Sequence, residues 1–254
     1  MMKLRFLGTG TSTGVPQIGC KCETCISTDA HDKRRRASAI LSVGGVNILI
    51  DCGPDFRQQI IDAGAPELVA ALLTHSHYDH VGGIDDLRPY CYRSGGFPLY
   101  CRHDVAEDLR NRVPYCFKEH PYPGVPIFDI HEISDEMFMV GDIGILPLPV
   151  MHYKLPIVGF RVGKLAYITD AKTIPEETYE RLEGVDTLVI NALRKEQHLS
   201  HMNLDDALKV IDRVKPRIAY LTHLADKMGT QAEVEPTLPS NVRIAYDGLE
   251  IEIM

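Results

Sequence analysis

Apolar and polar positions along the chain switch repeatedly between a period of two and a helical period. Residues 4–10, LRFLGTG, make a β-type run that ends in a glycine turn. Residues 37–53, ASAILSVGGVNILIDCG, are two apolar runs around Gly44-Gly45, the pattern of a β-hairpin in which Val46 to Ile50 is the buried strand. Residues 54–64, PDFRQQIIDAG, read as a helix with Pro54 near its start and Gly64 as its stop. LVAALLTH, residues 68–75, is an apolar strand that delivers a polar loop, and residues 104–113 are helical. Strands are predicted over 144–152, 156–163 and 164–171, the last two as a hairpin. A helix over 175–184 and a buried strand over 186–192 follow. Next come a helix over 204–216, with His201 or Asn203 near its cap, and a strand over 217–225. Residues 242–253 close the chain as a strand pair around Asp247-Gly248. Because several strands are joined as hairpins, this order predicts two sheets packed face to face with helices outside, rather than one doubly wound parallel sheet.

Composition changes this picture little. Of 254 residues 44% are apolar and 24% charged, ordinary for a soluble globular protein, and the length suffices for a substantial core. A net charge of −8 argues against a broad electropositive surface for duplex nucleic acid. The opening MMKLRFLGTGTSTG holds no apolar run long enough for a signal peptide, and no later run approaches a membrane span. The expectation is a cytoplasmic protein with no membrane partner. In that reducing compartment seven cysteines do not form a disulfide scaffold. Cys52, Cys91, Cys101 and Cys116 read as buried or idle thiols, whereas Cys20, Cys22 and Cys25 are close enough to clamp one ion as thiolates.

The candidate chemistry gathers at strand ends. Three predicted strands end in His75, His152 and His223, and a fourth ends in Asp170. Strand ends can line one rim of a sheet, so residues remote in sequence converge on one cleft. His75 and His77 project to the same side of an extended segment, and Asp79 and His80 can turn towards a second point. Imidazole suits zinc and other first-row cations, and carboxylate suits manganese. Asp170 is the natural carboxylate to bridge two such ions, about 4 Å apart. A lone strand-end histidine is more often a satisfied polar residue than a ligand; four metal-type side chains within six residues, with three more at strand ends, reverse that weighting. Gly82-Gly83 after the loop gives it room to turn. GTGTSTG, residues 8–14, lacks the Gly-Lys-Ser/Thr of a phosphate loop and reads as a turn at the cleft rim. KRRR, residues 33–36, reads as a solvated turn. Arg88 and Tyr90, just beyond the metal loop, are candidate substrate contacts. His103, His120, His131 and His198 read as surface residues.

THSHYDHVGG, residues 74–83, resembles the HxHxDH signature of the metallo-β-lactamase superfamily. The resemblance implies an α/β (α+β) fold, a four-layered αββα sandwich. It implies a single metallo-hydrolase domain over residues 1–254, with a small Cys-rich metal-binding insertion at about 15–30. It further implies one metal on His75, His77 and His152 and a second on Asp79, His80 and His223. Asp170 would bridge the two, and Asp51 would support the loop from behind. HLSHMNLDDAL, residues 198–208, resembles the helix start H-S-T-x-x-x-A of the phosphodiesterase branch, with His201, Asn203 and Ala207 in register. That match implies that His201 faces the cleft and stabilises or protonates a phosphate oxygen. GCKCETC, residues 19–25, is similar to the structural zinc site of the phosphoribosyl cyclic phosphate phosphodiesterases, which implies an additional structural zinc. Where those proteins carry a histidine as fourth ligand, this chain has Asp226; Asp226, His31 or water would complete the site.

Together these features predict a phosphodiesterase with two divalent ions, zinc or manganese, in which Asp79 and His201 are catalytic. Its substrate would be a small, possibly cyclic, phosphate ester or a nucleotide, attacked by a hydroxide bridging the metals. Three other readings compete: a tRNA 3′-processing endoribonuclease, a thioester or lactam hydrolase, and a non-catalytic metal-binding accessory protein. The endoribonucleases carry a long Gly/Pro-rich basic arm, which this acidic sequence lacks. Relatives with the Cys cluster are often dimers, so the resemblance implies a homodimer.

Overall fold

The computed structural model describes residues 1–118 and 122–254, and His120 lies outside the described residues. The first six strands are β1 (Met2–Gly8), β2 (Ser38–Val43), β3 (Val46–Ile50), β4 (Ala70–Leu72), β5 (Phe97–Cys101) and β6 (Phe128–Glu132). The next are β7 (Phe138–Val140), β8 (Ile143–His152), β9 (Leu155–Val162), β10 (Leu165–Ile168), β11 (Thr187–Asn191), β12 (Ile218–Thr222) and β13 (Val242–Ile244), with β14 (Glu250–Ile253) last. The helices are α1 (Glu23–Ile26), α2 (Phe56–Asp62), α3 (Tyr78–Val81), α4 (Arg88–Ser94), α5 (His103–Arg112), α6 (Glu176–Arg181), α7 (Leu204–Val214) and α8 (Gln231–Val234).

Local chemistry explains the elements nearest the site. The β2–β3 hairpin turns on Gly44 and Gly45 at φ 59° and 90°, with Val43 opposite Val46. A two-residue turn that matches strand twist needs two left-handed residues, and glycine supplies them without a Cβ clash. β9 and β10 form the second expected hairpin, Val162 opposite Leu165.

The strands form two seven-stranded sheets, ordered β14-β1-β2-β3-β4-β5-β6 and β13-β12-β11-β10-β9-β8-β7. In the first, pairing is antiparallel from β14 to β3 and parallel from β3 to β6. The second repeats the scheme, antiparallel from β7 to β10 and parallel from β10 to β13. Parallel neighbours bring their C-terminal ends to one edge, and there β3, β4, β10 and β12 release the polar residues of the candidate site.

Alternating side chains divide the strands among three cores. Ile48 and Ile50 of β3, Leu165 and Tyr167 of β10 and Val189 of β11 meet between the sheets. Leu49 faces the other way, towards Phe56, Cys91 and Leu109 of α2, α4 and α5. Ala166, Ile168, Leu188 and Ile190 pack on Ala207, Val210 and Ile211 of α7. The fold is thus a helix–sheet–sheet–helix sandwich, as expected.

Two local readings are corrected. Residues 242–253 supply two strands, but these are not a pair: β13 joins β12 in one sheet and β14 joins β1 in the other. The Asp247-Gly248 turn crosses between the sheets. The Asp247 carboxylate anchors it, accepting from Thr9 N at 2.9 Å, Thr9 Oγ1 at 2.8 Å and Arg35 N at 2.7 Å. Residues 33–36 are not a solvated turn either. Arg34 is buried and donates to Thr9 Oγ1, the Ala245 carbonyl and Gln231 Oε1, while Arg36 pairs with Asp55 at 2.9 Å. A buried guanidinium is tolerated because its donors are satisfied. Among the described residues no helix is long and apolar enough to cross a membrane.

Candidate metal centre

Four of the parallel-paired strands hand over to a site residue within a few positions. β3 leads to Asp51, β4 through Leu73-Thr74 to His75, β10 through Thr169 to Asp170, and β12 to His223. Asp51, Asp170 and His223 all adopt left-handed backbone, at φ 58°, 58° and 56°. For residues with a side chain this conformation costs about 1 kcal/mol or more, and it persists where surrounding structure imposes it. His152 comes from the other kind of strand end, the last residue of β8 before its hairpin with β9.

Asp51 lies wholly buried behind the metal loop. It accepts from Thr74 N at 2.8 Å, Thr74 Oγ1 at 2.9 Å and His80 Nδ1 at 2.7 Å. Burial raises its pKa, against the pull of His80. The bond to Nδ1 leaves His80 Nε2 pointing at 3.2 Å to Asp79 Oδ2 and 3.3 Å to Asp170 Oδ1. His223 Nδ1 is 3.0 Å from the same Asp170 oxygen. Ligating atoms of Asp79, His80, Asp170 and His223 all lie within 4.8 Å of one another. The other set also meets. Ring centroids are 4.6 Å apart for His75 and His77, 5.1 Å for His77 and His152, and 5.8 Å for His75 and His152. His75 Nε2 is 3.8 Å from Asp170 Oδ2. Asp170 therefore stands between the two sets.

The bare nitrogens test whether cations fit. His75 Nε2, His80 Nε2 and His223 Nδ1 are buried and make no hydrogen bond. On each ring the other nitrogen is engaged: His75 with Thr74 Oγ1 at 3.0 Å, His80 with Asp51, His223 with Thr11 Oγ1 at 3.2 Å. His152 Nδ1 likewise donates to the Ser200 carbonyl at 2.7 Å. Buried polar atoms are normally satisfied, and one oriented nitrogen beside one bare nitrogen is the arrangement of a ligating histidine. Burial also pushes His75, His77 and His152 below the usual histidine range, towards the neutral form that ligates. Asp79 is held below the usual carboxylate range: burial opposes ionisation, but the neighbouring charge of His80 outweighs it. The donor set fits divalent cations.

His77 and His201 mark the mouth, His77 being exposed and the His201 side chain 13% exposed. His201 Nε2 is 3.2 Å from Asp170 Oδ2, so the residue does face the cleft. Its Nδ1 is 3.0 Å from Ser200 Oγ and 3.2 Å from His198 Nδ1. His198 is thus a partner of a cleft residue rather than the surface histidine expected, because the turn before α7 folds it back; its Nδ1 also accepts from Ser200 N at 3.3 Å. Asn203, not His201, caps α7, its side chain accepting from Asp206 N at 3.0 Å. His103 and His131 are exposed, and Cys52, Cys91, Cys101 and Cys116 are buried, as read from the sequence.

Gly82-Gly83 serves close approach rather than turning. Gly82 has φ −65°, and a Cβ on Gly83 would lie 2.0 Å from the Gly53 carbonyl oxygen. The loop is therefore pressed against the segment that follows Asp51. Arg88 and Tyr90 do not join the metal-ligand cluster. Arg88 pairs with Asp85 at 2.7 Å, and the Tyr90 hydroxyl donates to the Pro66 carbonyl while its ring packs beside Phe97 in the outer core. They line a separate cavity with Ile60 and Ile61 of α2, because α4 turns them onto the helical layer. Cys20, Cys22 and Cys25 surround Asp226 Oδ2 at 3.3, 3.4 and 3.9 Å. His31 is instead engaged by Asp29 at 2.8 Å. Thr11, which orients His223, escaped sequence reading; its one signal was the glycine-rich rim turn that holds it.

A family model described as a β-lactamase superfamily domain matches residues 46–224, and the chain belongs to that superfamily. Among solved structures, it is 34% identical to a protein described as a new diphosphatase from the PhnP family. That match has a TM-score of 0.93 and covers 100% of this chain and 98% of that one. Among curated proteins it is 43% identical over 252 residues to an octanoyltransferase from Porphyromonas gingivalis, covering 98% of this chain but 51% of the relative. The chain thus spans about half the length of that relative. A ribonuclease Z of Mycobacterium sp. strain KMS is 26% identical over 291 residues, covering 100% of this chain and 96% of that protein.

Proposed function

We propose that this hydrolase of the metallo-β-lactamase fold is a phosphodiesterase that cleaves a small phosphate ester, cyclic ester or nucleotide with two divalent ions, zinc or manganese. The observation that carries the reading is His201: it sits at the mouth with Nε2 against the bridging carboxylate, where a reacting phosphoryl group would lie. The resemblance to a diphosphatase of the PhnP family supports it. His75, His77 and His152 would hold one ion, Asp79, His80 and His223 the other, and Asp170 both. Bound there, the ions supply Lewis-acid charge and lower the pKa of a coordinated water to about 7. Asp79, kept ionised, orients the attacking water by accepting its hydrogen bond. His201, carrying a proton on Nε2, donates it to a phosphate oxygen or to the leaving alkoxide. Ser200 and His198 hold the far side of that ring. Asp226 would complete a structural zinc site with the three thiols.

Leaving-group dependence tests the assignment. With metal-loaded protein, His201→Ala should slow alkyl and cyclic esters by about 10²–10⁴-fold. It should slow bis(p-nitrophenyl) phosphate much less, because p-nitrophenolate departs without a proton. Absence of turnover on all of these and on diphosphates would defeat the reading. The octanoyltransferase relative favours a second reading, hydrolysis of an acyl thioester. Octanoyl thioester turnover that exceeds turnover of every phosphate ester would establish it.

A further inference from the structure

We propose that His198 is a positioning residue for proton transfer: its bare Nδ1 accepts a hydrogen bond from His201 Nδ1, so that the Nε2 proton is the one His201 gives up. This rests on the phosphodiesterase reading, in which His201 is the proton donor. One backbone group sets the tautomers. Ser200 N donates to His198 Nδ1 at 3.3 Å, so that nitrogen presents a lone pair and the ring proton of neutral His198 sits on Nε2. His201 Nδ1 faces the same lone pair at 3.2 Å. Two lone pairs at that distance repel, whereas an N–H on His201 makes a hydrogen bond. Ser200 Oγ lies 3.0 Å from His201 Nδ1 and 3.3 Å from His198 Nδ1. It fits the same arrangement, accepting from the first ring and donating to the second.

The surroundings of His198 suit an acceptor. Burial first, then the positive charges of His201, Arg194 and Lys172, hold it below the usual histidine range, in the neutral form that keeps a lone pair. The turn that carries it is fastened on both sides. His152 Nδ1 donates to the Ser200 carbonyl at 2.7 Å, Met202 N to the Ala171 carbonyl at 2.9 Å, and Asn203 Nδ2 to the Lys195 carbonyl at 2.8 Å. Among the described residues no carboxylate meets His201 Nδ1; Asp170 stands at Nε2. The protons balance. His201 enters the step with a proton on each nitrogen. Its Nε2–H bond breaks as an O–H bond forms on the leaving oxygen, and the ring ends neutral, with the Nδ1 proton still held against His198. Which nitrogen of an imidazole keeps its proton is set by the hydrogen bond made at the other, and here that bond is to a second imidazole.

Nitrogen NMR of zinc-loaded protein carrying isotope-labelled histidine reads this arrangement without turnover, with the signals assigned from His198→Asn and His201→Ala. His198 should show the Nε2–H tautomer, and a coupling across the hydrogen bond should link the two Nδ1 atoms. A proton on His198 Nδ1, or none on His201 Nδ1, would overturn the proposal whether or not any ester is hydrolysed. Kinetics give the second readout. His198→Leu should lower kcat for alkyl and cyclic phosphate esters by about 10–100-fold with KM little changed. It should slow bis(p-nitrophenyl) phosphate much less, since that leaving group departs without a proton. His198→Asn, whose Oδ1 takes the place of Nδ1 as acceptor, should recover most of the loss, and melting curves exclude misfolding as its cause. Equal losses in the Leu and Asn variants, or equal losses for both kinds of ester, would reduce His198 to packing. If no phosphate ester is turned over, the phosphodiesterase reading falls, and the nitrogen spectrum alone decides whether His198 holds the His201 proton.

Discussion

Asp170 is approached at once by His75, His80, His201 and His223, at 3.8, 3.3, 3.2 and 3.0 Å. One carboxylate thus joins both ligand sets to the residue at the mouth. Asp170→Ala should abolish hydrolysis and remove active-site metal, as read by turnover and by metal content per chain. Retained turnover would show that the carboxylate bridges nothing. Asp247 makes a different kind of prediction. Burial raises its pKa to about 6, against hydrogen bonds from Arg35 and Thr9. An unfolded aspartate titrates near 3.8, so the folded state binds this proton more tightly. The stabilisation this brings is complete below about pH 4 and fades as pH rises through about 6; it amounts to about 3 kcal/mol. Asp247→Asn carries no such proton. The melting temperature of the unsubstituted protein, taken relative to the variant, should fall across that window; parallel curves would refute the shift.

At the scale of elements, the loop that carries His75 to His80 is pressed between neighbours. A Cβ on Gly53 would meet the Asp79 carbonyl oxygen at 2.0 Å, and one on Gly83 would meet the Gly53 carbonyl oxygen at the same distance. Gly83→Ala should therefore destabilise the fold by about 1–3 kcal/mol and weaken metal binding, measured by urea unfolding and metal titration. An unchanged unfolding midpoint would mean the loop can shift at no cost. The sequence could not reveal this, since a glycine that permits a turn and one that permits contact look alike. Hairpins were legible because Gly44-Gly45 dictates its own geometry. β13 and β14 were legible as strands but not in their pairing: alternation says which face is buried, not which sheet provides the neighbour. His198 was missed for a similar reason, since nothing local to a histidine in a polar turn announces that the turn folds back on His201.

Over the whole molecule, the repeated pairing scheme explains why the site is assembled from distant segments. Each sheet turns from antiparallel to parallel midway, and the parallel halves place the ends of β3, β4, β10 and β12 around one cleft. The candidate ligands His75, His152, Asp170 and His223 stand out in the sequence because each closes an apolar run, whereas the hydroxyls beside His223 and His75, those of Thr11 and Thr74, carry no such mark. The Cys cluster belongs to the same scale. Thr11 N donates to the Leu224 carbonyl at 3.0 Å and Leu224 N to the Thr9 carbonyl at 2.9 Å, so the first loop is stitched to the segment leaving β12. Asp226, two residues beyond Leu224, draws Cys20, Cys22 and Cys25 onto that same segment. An ion held by the three thiols and this carboxylate would tie down the loop whose Thr11 orients His223. Cys25→Ser should then lose one metal equivalent per chain, melt at a lower temperature and bind its remaining metal more weakly. Asp170→Ala should lose active-site metal while keeping the thiol-bound ion. Metal content that is unchanged by Cys25→Ser, with an unchanged melting temperature, would reduce the cluster to idle thiols packed near an aspartate.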